Sequence, residues 1–414
     1  MNILIVNHYA GSQQHGMEYR PFYLAREWVR LGHSVTIVAA SYSHLRLQNP
    51  QIDCDVAEEQ IEGIRYVWLR TGRYHGNGIR RVWNMATFVF RLWQYERQVL
   101  SKFVPDVVIA SSPHPLIIFP ARRIARKCNS TLVFEVRDLW PLSLVELGGM
   151  SRWHPFVQLL QRTENYAYRY ADRIISPLPK IDEYLHERGV DVGKFTCIPN
   201  GINVEESLAS PVPLPEEHMA VLARLTTAKR FLVGYVGQHS LSNALDTFVE
   251  SASLTESSNV ALVLVGQGPE KSRLEAKAKE SGASNIVFLP PVAKSMVPAV
   301  LAQMDVLFLG WKRQSLYRYG ISPNKLMDYM MAAKPVIHAV ESGNDVVAES
   351  RCGISCPPEI PAAIADAVQR LMRATPADRE AMGQRGRSYV MRHLDYRVLA
   401  AQLLKAMKCK RRPE

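Results

Sequence analysis

Short, almost unbroken apolar runs punctuate this chain, and nearly every one ends in a loop of glycine, proline or polar residues. In the first half they are Ile3–Val6, Val35–Ala39, Ile64–Leu69, Val107–Ala110 and Thr131–Val136. In the second half they are Phe231–Val236, Ala261–Val265, Ile286–Leu289, Val306–Leu309 and a run opening at Val336-Ile337. Runs this short, bounded by turn residues, read as strands buried on both faces of a parallel sheet. The longer spans between them, such as 20–31, 116–127 and 156–171, read as crossover helices. Two successive βαβ series predict an α/β protein with two doubly wound sheets. The stretch Pro211-Val212-Pro213-Leu214-Pro215 is the most linker-like in composition. We expect domains over 1–205 and 206–395.

One stretch organises the second half: Tyr319-Gly320-Ile321-Ser322-Pro323-Asn324-Lys325-Leu326-Met327-Asp328-Tyr329-Met330-Met331-Ala332-Ala333-Lys334-Pro335-Val336-Ile337. It predicts a loop, a helix capped by Ser322 with Pro323 at its first position, and an end at Pro335. Leu326, Tyr329, Met330 and Ala333 would form its apolar face. A helix N-terminus offers unpaired N–H groups and a partial positive charge, hence an anion site, and Lys325 adds a full charge. Asp328, three residues on, is placed to accept hydrogen bonds from sugar hydroxyls.

Other loops sit at strand ends, where open α/β sheets bind ligands. Gly11 and Gly16 follow the first strand, and Met17-Glu18-Tyr19-Arg20 would open the next helix. The alternative is an ordinary βα turn. Gly237-Gln238-His239-Ser240, Gly266-Gln267-Gly268-Pro269 and Pro290-Pro291-Val292 end the second-half strands, and Lys271 and Arg273 follow the second of these loops. Ser111-Ser112-Pro113-His114-Pro115 and Arg137-Asp138-Leu139-Trp140-Pro141 end two strands of the first half. Arg137 and Asp138 read either as site residues or as a structural ion pair.

Composition narrows the field. The chain has 414 residues, 47% apolar, with a formal net charge of +11. A basic balance favours phosphates, nucleic acid or anionic membrane. The excess is spread over both halves and no helix-turn-helix or zinc-finger signature occurs, which argues against nucleic acid. No apolar run reaches the ~18 residues of a membrane-spanning helix. The N-terminus enters a strand at once, so it reads as a fold element and not a signal peptide. Six scattered cysteines, at 54, 128, 197, 352, 356 and 409, suggest reduced thiols. Within 79–103, Trp83, Met85, Phe88, Phe90, Leu92, Trp93 and Tyr95 interleave with Arg80, Arg81, Arg91 and Arg97. This reads equally as a membrane-interface helix or as a core helix with solvated arginines.

The 319–337 stretch, the Arg137–Pro141 motif and the Ile198-Pro199-Asn200-Gly201-Ile202-Asn203 turn resemble the family-4 retaining glycosyltransferases of the GT-B fold, in the branch that builds bacterial surface polysaccharides. The resemblance covers nearly the whole chain. It implies two Rossmann-like domains facing across a cleft, with a last helix from about Tyr396 returning to the N-terminal domain. The family's two glutamates separated by seven residues fall here on Gly320 and Asp328. Its histidine ahead of Asp138 is replaced by Arg137, and its basic pair after the first C-terminal strand is absent. Asp53-Cys54-Asp55 matches the metal motif of the other major glycosyltransferase fold only superficially.

What the resemblance implies is a UDP-sugar in the C-terminal domain. Gly266 and Val292 would hold the base and Asp328 the ribose. Lys325, the helix N-terminus around Asn324, and Lys271 or Arg273 would hold the diphosphate, with Gly237, Gln238 and Gly16 lining the donor. Backbone amides at Ile321 and Ser322 would replace the missing glutamate at the sugar. The acceptor, a glycan or a polyprenyl-diphosphate-linked sugar, would lie near Glu18, His114, Arg137 and Asp138, with His8, His15 and Arg20 close by. No metal or cofactor is expected, and the protein would work peripherally on the cytoplasmic face of the membrane. Alternatives are an epimerase or hydrolase of the same nucleotide-sugar, or a non-catalytic binding protein.

Overall fold

The computed structural model describes residues 1–16, 19–76, 78–210, 212–255 and 259–408. Glu18, Pro211 and the basic tail from Cys409 onward therefore lie outside the described residues. The chain divides into two compact units, Met1–Asn200 with Tyr396–Glu414, and Gly201–Asp395.

The first unit is built on strands β1 (Asn2–Asn7), β2 (Ser34–Ala40), β3 (Val56–Ile61), β4 (Ile64–Leu69), β5 (Val107–Ser111), β6 (Thr131–Glu135), β7 (Arg173–Ser176) and β8 (Phe195–Cys197). Their order is β3-β4-β2-β1-β5-β6-β7-β8. All described pairings are parallel except β3 with β4. The order turns back at β1, whose neighbours are β2 and β5, and this is where a doubly wound sheet opens a ligand crevice. The sequence gives β3 no strand signal of its own, because Glu58 and Gln60 face solvent on an edge strand. Asp55, just before β3, pairs with Arg91 at 2.5 Å and accepts from Tyr95 Oη, which gives the Asp53-Cys54-Asp55 segment a structural role. The Tyr396–Met407 helix packs on the Tyr19–Arg30 helix: Trp28 Nε1 donates to Ala400 O, and Tyr23 stacks on Tyr396.

The second unit carries β9 (Phe231–Val236), β10 (Val260–Val265), β11 (Ile286–Leu289), β12 (Val306–Gly310), β13 (Val336–Ala339) and β14 (Gly353–Ser355). They form one parallel sheet ordered β11-β10-β9-β12-β13-β14, which reverses at β9 and β12. Three-residue β14 left no readable pattern. The second half of the linker-like stretch leads directly into a helix over Glu216–Thr227.

The helix of the 319–337 stretch spans Asn324–Met331. Pro323 is extended (φ −77°, ψ 125°) and occupies the cap position, so Ser322 is not the cap and Pro323 is not the first helical residue. The helix also ends before Pro335, since Ala333 takes a left-handed φ of 52°. Its apolar face is Leu326, Met327, Tyr329, Met330 and Met331, all buried, each contributing about 1.5–3 kcal/mol of hydrophobic stabilisation. Arg387 Nε donates to Met331 O and occupies one otherwise open carbonyl at its C-terminal end.

Candidate functional site

In the second unit, the carboxyl ends of β9 and β10 and the start of the Asn324–Met331 helix supply one cluster of charges. Lys325 Nζ donates to Tyr235 Oη at 2.6 Å and to Asn243 Oδ1 at 3.0 Å. Tyr235 in turn donates to Gln238 O at 2.7 Å, and Asn243 Nδ2 donates to the same carbonyl at 2.9 Å. The ammonium is thus aimed at the Gly237-Gln238 turn, with two of its three N–H donors used among the described residues. A Cβ at Gly237 would come within 3.0 Å of Nζ, at a φ of 149° that L-residues rarely adopt. Burial lowers the Lys325 pKa to about 8.

Lys271 joins this cluster, its Nζ donating to Gly266 O at 3.4 Å. Arg273 does not: its guanidinium is held by Glu270 at 2.7 Å and is half exposed. Of the two cations offered for the diphosphate, Lys271 is the one in place. The Gln238 and Asn324 side chains are exposed, while Ser322 and Val292 are half-buried.

Ile321 departs from expectation. Its N–H donates to Asn344 Oδ1 at 2.7 Å, and its C=O accepts from Asn344 Nδ2 at 3.1 Å. The amide offered as a sugar contact is already satisfied within the chain. Asp328, part-buried, holds Lys294 Nζ at 2.5 Å.

In the first unit a buried chain of hydrogen bonds starts at Gly72 O, which accepts from Asn84 Nδ2 at 2.6 Å. That fixes the amide orientation, so Asn84 Oδ1 accepts from His8 Nε2 at 2.6 Å. His8 Nδ1 must then accept from His114 Nε2 at 2.8 Å, which leaves His114 Nδ1 a bare lone pair with no partner among the described residues. Burial and Arg81 push His114 down to about 3, so its lone pair is a hydrogen-bond acceptor and a weak base.

Arg20 is not open to a ligand. It is buried, pairs with Glu135 Oε1 at 2.9 Å, and donates to Ile198 O at 2.7 Å and to Pro199 O. Glu135 also accepts from Ser111 Oγ. Burial raises the Glu135 pKa, but Arg20, Arg137 and Ser111 outweigh it and hold the carboxyl below its usual range. Arg137 is half-buried and its N–H donates to Ser112 Oγ, while Asp138 is exposed. His8 and His15 are buried. Gly16, at a φ of 74°, makes room for Leu47, whose side chain lies 2.7 Å from where a Cβ would stand. It gives Leu47 room to pack at this turn.

Tyr235, Asn243, Asn344 and Asn84 were missed because each acts on residues far along the chain. Glu135 did leave a signal, as a charged residue inside the apolar run Thr131–Val136.

Two family models match the chain, a glycosyl transferase 4-like domain over residues 15–201 and glycosyl transferases group 1 over 230–374. Among curated proteins it is similar to the probable glycosyltransferase WbjE of Pseudomonas aeruginosa, 21% identical over 68% of this chain and 70% of that one. It is also similar to the putative colanic acid biosynthesis glycosyl transferase WcaI of Escherichia coli K12, 20% identical over 76% and 78%. Its fold matches Anabaena Alr3699/HepE, crystallised with UDP and glucose, with a TM-score of 0.66 at 14% identity over 99% of both chains.

Proposed function

Given that the chain belongs to the GT-B glycosyltransferases of the family-4 type, we propose that it moves a sugar from a UDP-sugar to a glycan or polyprenyl-diphosphate-linked acceptor in bacterial surface polysaccharide synthesis. The observation that carries the donor half is the Lys325–Lys271 pair at the ends of β9 and β10, beside a helix N-terminus. Lys325 and that N-terminus bind the diphosphate and stabilise it as it leaves. Asp328 holds the ribose, and Gly266 and Val292 the base. Stereochemistry is retained by front-face attack, in which the leaving phosphate takes the acceptor's proton, so no protein nucleophile is required. The acceptor is held by the first unit near Arg137 and Asp138. The relative named for colanic acid biosynthesis and the UDP and glucose in the HepE complex support this reading.

The same proposal places the protein on an anionic membrane surface. No described helix is long and apolar enough to cross a membrane. The Ile79–Gln94 helix is two-faced: Met85, Phe88 and Leu92 are buried, while Ile79, Trp83 and Phe90 form an exposed stripe at 84%, 75% and 66%. Of its arginines, Arg91 is paired with Asp55 and Arg81 with Tyr9 Oη, so Arg80 and nearby Arg97 are the ones available to a lipid surface. A pocket of about 300 Å³ between Arg73, Arg80, Ile79 and Trp83 joins the stripe.

The test is UDP release from a panel of UDP-sugars with and without a bacterial lipid extract. Release that requires the extract supports transfer. Release from donor alone, as an epimer or free sugar, replaces it with the epimerase or hydrolase reading.

A further inference from the structure

His239 is the one fully buried histidine of the second unit that lies beside the charged cluster. Neither ring nitrogen has a hydrogen-bond partner among the described residues. Its backbone is fixed: the N–H donates to Gln267 O at 2.8 Å, and the C=O accepts from Glu270 N at 3.1 Å. These bonds hold the residue between the β9 and β10 turns. A Cβ at Gly266 would come within 3.3 Å of Nε2, so that nitrogen lies directly behind the Gly266 backbone. Gly266 is also where Lys271 donates, and the neighbouring Gly237 is where Lys325 is aimed.

A buried imidazole with no partner is costly. Its surroundings explain its charge state. Burial, then Lys271, then Lys325 push its pKa down to about 4. The Tyr235 ring, 6.0 Å away, and the Phe288 ring, 6.3 Å away, are the other groups packed on it. Tyr235 keeps its proton, since burial raises its pKa. Glu270 spends its carboxylate on Arg273. Among the described residues the charges acting on the ring are both cations, Lys271 and Lys325.

We propose that His239 is a positioning residue of the donor site that takes up a proton from solvent when a diphosphate binds between Lys325 and Lys271, and that the imidazolium so formed strengthens the hold on that diphosphate. This rests on the donor reading above. The ligand chemistry required is a nucleoside diphosphate or another doubly charged phosphate ester. Such an anion neutralises the two lysines that keep the ring uncharged and supplies the missing counter-charge. A nearby opposite charge favours the imidazolium, so the ring's pKa rises from about 4 when the anion binds. The proton goes to a ring nitrogen and no covalent bond changes. The family's two basic side chains after this strand are then replaced by one group that is charged only when occupied.

Calorimetry tests this with UDP as the probe, in two buffers of different ionisation enthalpy, at about pH 6 and about pH 8. Lys325 is already charged at the lower pH. The terminal phosphate of UDP titrates near pH 6 by itself, but equally for every variant. Wild type should take up more protons at pH 6 than His239→Gln, and the difference should vanish at pH 8. UDP affinity of His239→Gln should fall at pH 6 by the factor that the lost uptake implies, about twofold for half a proton, and stay unchanged at pH 8. UDP binding with no uptake beyond that of its own phosphate in wild type overturns the proposal and leaves the donor reading standing, even if the variant does not fold. Absence of any UDP binding overturns both.

Discussion

Lys325 Nζ and Tyr235 Oη, ninety positions apart, lie 2.6 Å from each other. The contact ties the start of the Asn324–Met331 helix to β9. Burial lowers the lysine's pKa to about 8, so the ammonium is intact below that value and lost above it. UDP affinity should therefore fall at least tenfold between about pH 7 and about pH 9.5, the scale of a charge-assisted contact. Lys325→Met should be weak and flat over that range. Parallel pH curves for the two proteins would reject Lys325 as the phosphate ligand.

Asp328→Asn should weaken every UDP-sugar by a similar factor, about tenfold, because a ribose contact is common to all. Lys294→Ala should change affinity less than about twofold, since Lys294 is a mostly exposed partner of Asp328. Binding curves for three UDP-sugars check both. A change of donor preference in Asp328→Asn would move that carboxylate to the sugar.

Arg20 and Glu135 support the first unit's sheet from within. Removing one partner leaves a buried charge alone, so Arg20→Met or Glu135→Gln should each cost about 3–5 kcal/mol. Thermal unfolding would read this as a lower Tm, with UDP binding by folded protein unchanged. A loss below about 1 kcal/mol would show that the pair contributes no more than a surface bridge.

The strands were legible where both faces are buried, because Phe231–Val236 and Val260–Val265 have no polar position to blur the run. Edge strand β3 was not, since Glu58, Glu59 and Gln60 stand in a row and leave no apolar alternation to read. Lys325 was legible as a helix-start charge, whereas its geometry depends on Tyr235 and Asn243, which only the sheet brings near. The Ser322 cap failed because Pro323 is extended and opens the helix one residue later. The Ile321 amide failed because Asn344, 23 positions on, reaches it first.

The exposed stripe on the Ile79–Gln94 helix gives the membrane prediction. Arg80→Gln with Arg97→Gln should reduce flotation with anionic vesicles at low salt, at about 1 kcal/mol per residue, and salt should screen that part. Trp83→Ser with Phe90→Ser should remove the salt-resistant part. UDP binding should be unaffected in both, as the donor residues belong to the other unit. Equal recovery on neutral and anionic vesicles would reject electrostatic docking.

Mass spectrometry of the product is the most direct test of the central claim. The purified protein is given a panel of UDP-sugars and a bacterial lipid extract. Sugar transfer predicts one lipid species heavier by a single sugar residue, formed together with one equivalent of UDP, and lost in Lys325→Met. An unchanged lipid profile alongside an isomerised or hydrolysed UDP-sugar, or an untouched donor pool despite UDP binding, would contradict it.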